Sequence, residues 1–175
     1  MALVAFLRGV NVGGHNTFQP SALAKELAHL GVVNVGAAGT FVIPVRCSQQ
    51  TARAEFLNRL GFSAELLICR GSDLVDLVAH DPFPARPAGD IRRFASVLAR
   101  RPRSRPGLPL DIPGNDLWQV RFLEISGPFA VGWWRRLGRS FVDPNGAAEK
   151  SFGVIATTRN WNTMVKLATF LEGFA

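Results

Sequence analysis

Arg8-Gly9-Val10-Asn11-Val12-Gly13-Gly14-His15-Asn16 lies near the start of the chain. Glycines in this pattern, between a strand and a helix, let backbone N–H groups come close to an anion. Arg8 would supply charge and Asn11 an amide. His15, inside the same loop, is the histidine best placed for acid or base work, since an imidazole titrates near neutral pH. The spacing is neither GxGxxG nor a P-loop, which needs Lys and then Ser or Thr after the last glycine. The plain alternative is a turn whose glycines supply positive φ.

A second grouping is Thr157-Thr158-Arg159-Asn160-Trp161-Asn162-Thr163-Met164-Val165-Lys166. Read as a helix from about Asn160 to Leu171, it sets Arg159, Asn162 and Lys166 three and four residues apart along one stripe. Trp161, Met164, Val165, Ala168 and Leu171 then make the buried face, and Thr158 or Asn160 caps the start. Cations and amides at a helix N-terminus form an anion site that the helix dipole reinforces. A capped, solvated helix face is the alternative.

A third is Arg100-Arg101-Pro102-Arg103-Ser104-Arg105, which opens a Pro-rich loop over 100–115, with Arg135-Arg136 and Arg139 after Trp133-Trp134. Arginines beside aromatics can hold single-stranded nucleic acid by phosphate contacts and stacking. No RNP1-type string accompanies them, and a solvated loop is the simpler reading. The sequence has no GxSxG elbow and no HExxH pair. Cys47 and Cys69 form no CxxC pair and have no His or Cys nearby at metal-ligand spacing, so they read as reduced thiols. No metal site is expected and no cofactor can be named.

These residues need a scaffold. The chain has 175 residues, of which 47% are hydrophobic, a globular proportion. The formal charge of +7 rests on 17 Arg and three Lys, and residues 89–175 hold thirteen of these cations against seven Asp and Glu. Such a balance favours polyanions without specifying a fold. No apolar run reaches the roughly 20 residues of a membrane helix, and the short apolar start, ended by Arg8, reads as a first strand rather than a secretory leader. A cytoplasmic protein is therefore expected, with no membrane partner.

Strand Ala2–Leu7 leads into the glycine loop. A helix follows, with Pro20 in its first turn, Leu23, Leu27 and Leu30 on one face, and Gly31 as its stop. Val32–Val35 and Thr40–Val45 form a hairpin across Gly36-Ala37-Ala38-Gly39. Ser48 caps a helix with Ala52, Phe56 and Leu60 inward. Ala64–Cys69 is a fourth strand, and Ser72 caps a short helix. The order βαββαβ is the ferredoxin-like pattern. Leu3, Val4, Ala5, Phe6 and Leu7 are apolar on both faces of the first strand, so both faces need a covering layer. Asp81-Pro82-Phe83-Pro84-Ala85-Arg86-Pro87 reads as a linker. Beyond it the expected elements are strands near Phe94–Ala99, Leu117–Ile125 and Phe129–Trp134, a short helix near Ala147–Lys150 and the final helix. The predicted fold is α+β: a ferredoxin-like half, residues 1–85, packed on a second, smaller α+β half, residues 86–175.

Leu7-Arg8-Gly9-Val10-Asn11-Val12-Gly13-Gly14 at one end and Thr158-Arg159-Asn160-Trp161-Asn162-Thr163 at the other resemble the end motifs of domain-of-unknown-function family 1697, a bacterial family. Gly61-Phe62, Asp81-Pro82-Phe83 and Gly138-Arg139-Ser140 are similar to its middle and later segments. The resemblance implies a two-part α+β fold with a ferredoxin-like first part, and no particular activity. The chain departs from the family pattern at three places. His15 stands where members usually carry Lys, Ala37-Ala38-Gly39-Thr40 where they carry Gln-Ser-Gly-Asn, and Phe141 where Lys follows the Gly-Arg-Ser turn. A site built on those positions would differ here.

The expected function is an anion-binding module for a phosphorylated metabolite or a nucleic-acid backbone, at a cleft between the two halves. The candidate contacts are Arg8, Asn11, Gly13, Gly14, His15, Arg139, Ser140, Arg159, Asn160, Asn162 and Lys166. An enzyme acting on a small phosphorylated or carboxylated substrate, with His15 as acid or base, is one alternative. A structural or interaction protein, whose end motifs only join the halves, is the other.

Overall fold

The computed structural model describes residues 2–10, 18–44 and 46–174. Among them the chain forms nine strands in two antiparallel sheets and five α-helices. It divides into two compact units, Met1–Asp76 with Lys166–Ala175, and Leu77–Val165. A cut between residues 85 and 86 would instead leave the last ten residues with the second half.

In the first unit β1 (Leu3–Arg8) leads to α1 (Pro20–Glu26), β2 (Val33–Asn34), β3 (Thr40–Ile43), α2 (Gln49–Arg59), β4 (Glu65–Arg70) and the start of α3 (Gly71–His80). The local signals act as expected. Pro20 opens α1, where its missing N–H leaves no bond unmade. The Ser48 hydroxyl accepts from the Thr51 N–H at 2.9 Å and caps α2. Helix α3 starts at Gly71, one residue before the expected Ser72 cap.

The sheet runs β2-β3-β1-β4 with antiparallel neighbours. Leu3, Ala5 and Leu7 of β1 share one core with Leu23 and Leu27 after β1, and with Ala52 and Phe56 of α2. Val4 and Phe6, on the opposite face, are equally buried. Gly39 permits the close return of the chain beside β1. Its φ is +69°, its carbonyl accepts from the Leu7 N–H at 2.8 Å, and a Cβ there would stand 2.9 Å from the Leu7 Cβ.

The second unit contains β5 (Ile91–Leu98), β6 (Leu110–Ile112), β7 (Val120–Ser126), β8 (Phe129–Arg135), α4 (Pro144–Phe152) and β9 (Ala156–Asn160). Helix α5 (Trp161–Glu172) follows at once, and its later turns belong to the first unit. The sheet order is β6-β7-β8-β5-β9. Phe94, Val120, Phe122 and Ala130 meet Ala147, Ala148 and Phe152 of α4 in a single core. Asp143 caps α4 through bonds from the Asn145 and Gly146 N–H groups.

Two expectations change here. The half expected to be smaller carries the larger sheet, because β6 lies within the stretch read as a Pro-rich loop and β9 lies where no strand was expected. Residues 156–160 form a strand, so Arg159 and Asn160 precede the final helix, which starts at Trp161. Thr157 and Thr158 are β-branched and suit extended backbone. Pairing with β5, from Phe94–Asn160 to Leu98–Ala156, then outweighs the helical reading. The N–H groups of Ala156 and Thr158 are bound by α4 side chains, at 3.1 Å to the Glu149 carboxylate and 2.6 Å to Asn145 Oδ1. An edge strand is thus closed to further pairing.

Gly132 of β8 sits where β7 and β5 crowd the strand. A Cβ added there would lie 2.1 Å from the Arg121 carbonyl oxygen and 2.9 Å from the Phe94 ring. Backbone on a central strand cannot yield cheaply, so Gly132→Ala should destabilise the protein by about 3 kcal/mol or more. Urea unfolding should show this as a lower midpoint at an unchanged slope.

Candidate functional site

The residues singled out from the sequence are distributed over several elements. Arg8 ends β1 in the first unit, half-buried and opposite Glu65 of β4. Asn11, Gly13, Gly14 and His15 lie outside the described residues. Arg139 and Ser140 occupy the connection between β8 and α4. Arg139 is exposed, whereas the Ser140 hydroxyl is engaged, accepting from Gln119 Nε2 at 2.7 Å and donating to the Leu137 carbonyl at 2.9 Å.

Arg159 is 7% exposed within β9. Its Nη1 donates to Thr157 Oγ1 at 2.9 Å and to the Thr158 carbonyl at 3.0 Å. Burial lowers its pKa to about 10, because the charged form loses hydration. The guanidinium still carries its proton at neutral pH. The stripe of Arg159, Asn162 and Lys166 does not exist as predicted, since helical spacing requires all three on a helix and Arg159 is on a strand. Asn162 and Lys166 remain exposed on α5. Asn160 is the cap: its Oδ1 accepts from the Asn162 N–H at 2.9 Å.

Asn160, Trp161 and Asn162 line a mostly polar cavity of about 460 Å³ within the second unit. The other walls are Arg86, Asp90, Ile91, Arg92 and Arg93. The β5–β9 register explains the meeting. With Phe94 opposite Asn160, the strand start that carries Arg92 and Arg93 runs on past the first residues of α5. Successive strand residues point to opposite faces, and each guanidinium rests on a different aromatic. Arg93 lies 5.1 Å from the Phe83 ring centre and 5.8 Å from that of Trp133, and Arg92 lies 5.7 Å from that of Trp134. Phe83 also packs edge-on against Trp161. The segment expected to be a linker is therefore packed through Phe83, and it contributes Arg86, which donates to the Ile91 carbonyl.

The carboxylates nearby are loosely engaged. Asp81 is 3.6 Å from Arg93 and Asp90 is 3.9 Å from Arg92, both pairs largely exposed. Exposed pairs at such distances contribute little, so the arginines keep most of their charge for a ligand. The helix dipole adds positive potential at the start of α5. Sequence spacing could not find Arg86, Arg92 and Arg93, because only the pairing of β9 with β5 brings them to the helix start.

Arg100, Arg101, Arg103 and Arg105 are exposed, and the backbone of Arg103 is held by the Phe152 carbonyl at 2.8 Å. Both cysteines are free, Cys47 half-buried and Cys69 buried. Burial first, and the charge of Asp73 second, raise the Cys69 thiol pKa well above its usual range. Among the described residues no cluster of three His, Cys, Asp or Glu could hold a metal.

If Asn160 caps α5 as described, Asn160→Ala should cost about 1 kcal/mol of stability in chemical denaturation. Asn162→Ala, with its side chain in solvent, should change it by less than about 0.5 kcal/mol.

No curated protein matches the chain. In fold it is similar to a conserved bacterial protein from Streptococcus pneumoniae, with a TM-score of 0.58 at 18% identity, covering 97% of this chain and 98% of the other. At that identity the likeness concerns fold alone. The model of a family described as a protein of unknown function, DUF1697, matches residues 1–111. The chain therefore belongs to the DUF1697 family.

Proposed function

We propose that the protein is an anion-binding module, and that the cavity at the start of α5 takes a phosphorylated or carboxylated small molecule. The observation that carries this reading is the convergence of Arg86, Arg92 and Arg93 with the first residues of a twelve-residue helix around one polar hollow. Its volume is within the range of small-molecule sites. Guanidinium groups bind phosphate and carboxylate oxygens in pairs. Helix N-termini favour the same charge. The glycine loop and His15 enter the proposal from sequence alone, as does an enzymatic role for His15.

A nucleic-acid backbone is the larger form of the same ligand chemistry. Residues 77–165 hold thirteen Lys and Arg against seven Asp and Glu, which supports weak polyanion binding. We also infer that the first half is ferredoxin-like. The βαββαβ order, the β2-β3-β1-β4 sheet and the shared core of the first two helices on one face support it. A cytoplasmic location accords with two free thiols and with the lack, among the described residues, of a helix long and apolar enough to cross a membrane.

The test is thermal unfolding of the full chain with inorganic phosphate, pyrophosphate, a nucleoside triphosphate, citrate and a single-stranded oligonucleotide. A ligand present at 100 times its dissociation constant should stabilise the fold by about 2.7 kcal/mol. The double variant Arg92→Gln, Arg93→Gln should abolish that shift for the small anions. A flat panel rejects the reading. If only the oligonucleotide binds, and Arg100→Gln with Arg101→Gln weakens it while the cavity variant does not, the basic loop is the site. The salt slope should then fall by about one per phosphate contact removed.

A further inference from the structure

A second cavity in the same unit, of about 610 Å³, differs in character. Ile112, Pro113, Leu117, Leu137 and Val142 make it mainly apolar. They come from the end of β6, the loop after it, and the connection between β8 and α4. The most exposed large hydrophobic residue among those described, Leu117 at 67%, stands in its wall. Apolar surface gathered around a hollow is the usual mark of a ligand site.

The polar groups at this cavity are already satisfied by one another. Gln119 is 4% exposed, donates through Nε2 to Ser140 Oγ at 2.7 Å, and accepts at Oε1 from the Val142 N–H at 3.2 Å. Ser140 Oγ in turn donates to the Leu137 carbonyl. A ligand body resting there need bring no hydrogen-bonding group to Gln119 or Ser140. A single charge remains on the wall. Lys150 of α4 is exposed and has no ion-pair partner among the described residues, and no carboxylate lines the cavity.

We propose that this cavity binds a small amphipathic carboxylate, its apolar body against Leu117, Leu137 and Val142 and its carboxylate toward Lys150 Nζ. The apolar lining selects the body and the lone cation selects the sign of the head group. The site is separate from the arginine cavity and shares no lining residue with it.

Calorimetric titration of the full chain with octanoate and with octanol tests it. Octanoate should bind saturably and more tightly than octanol. Lys150→Gln should weaken octanoate about threefold, the scale of one exposed ion pair, and leave octanol unchanged. Leu117→Asp should weaken both tenfold or more, since it places a carboxylate in the apolar wall. Arg92→Gln should affect neither. The proposal is overturned if neither probe saturates in the millimolar range, or if octanoate and octanol bind alike and Lys150→Gln changes nothing. It is equally overturned if Arg92→Gln weakens octanoate as Lys150→Gln does. A concentration-dependent dimer in sedimentation velocity, dissolved by Leu117→Asp, would give the cavity to a second copy of the chain and also overturn it.

Discussion

The pairing of β9 with β5 couples residues 156–160 to residues 94–98 through five registered partners. On its outer side the N–H groups of Ala156 and Thr158 are held by Glu149 and Asn145 of α4. Because Asn160 is both the last strand residue and the cap of α5, the register of one backbone ladder also decides where that helix begins. It decides equally which residues of β5 stand beside the helix start. A slip of one residue would reverse every side chain of β9 between faces, carrying buried Arg159 outward. The polar cavity, the cap and the placement of the arginines are consequences of a single register.

In the second unit four arginines, Arg92, Arg93, Arg121 and Arg135, lie over aromatic rings. Trp118 lies between two guanidinium groups, Arg121 at 4.3 Å and Arg135 at 4.0 Å from its ring centre. Arg121 is also held bidentately by Asp111 at 2.5 and 2.7 Å, and that hydrogen-bonded carboxylate raises its pKa. Arg135 donates to the carbonyls of Trp118 and Asp116. A guanidinium is weakly hydrated on its faces, so stacking satisfies the faces and the edges remain for hydrogen bonds. Arg121, Arg135 and Arg159 are thus spent on the fold, and the sequence charge overstates what is offered to a ligand. Within this unit, Arg86, Arg92 and Arg93 line the polar hollow. The apolar cavity near Leu117 depends on the same economy: Gln119 and Ser140 satisfy each other and leave the wall apolar.

Much of the first unit was legible because its signals are local. Pro20, Ser48, and the spacing of Leu23 with Leu27 and of Ala52 with Phe56 each act within one or two turns. The hairpin of β2 and β3 was legible for the same reason. The boundary at Asn160 was not. No glycine or proline separates β9 from α5, and the spacing of Arg159, Asn162 and Lys166 imitates a helix face. Only the hydrogen-bond demand of β5 breaks that pattern. Strand β6 was hidden in the same way, since its three residues lie in Pro-rich surroundings and gain their meaning from pairing with β7.

The sequence by itself determined the element types wherever periodicity and caps agree, the family, and Asn160 as one of two candidate caps, with Thr158, of the final helix. It also determined that positive charge would concentrate late in the chain. The tertiary structure alone decided which charges face solvent and which are buried. It alone brought Arg86, Arg92 and Arg93 to the start of α5, some seventy residues away in sequence. Strand pairing is a contact between distant segments, and neither composition nor local spacing encodes its register. A residue's chemistry is written in its type, whereas its neighbours across a sheet are settled by the burial and hydrogen bonding of the whole unit.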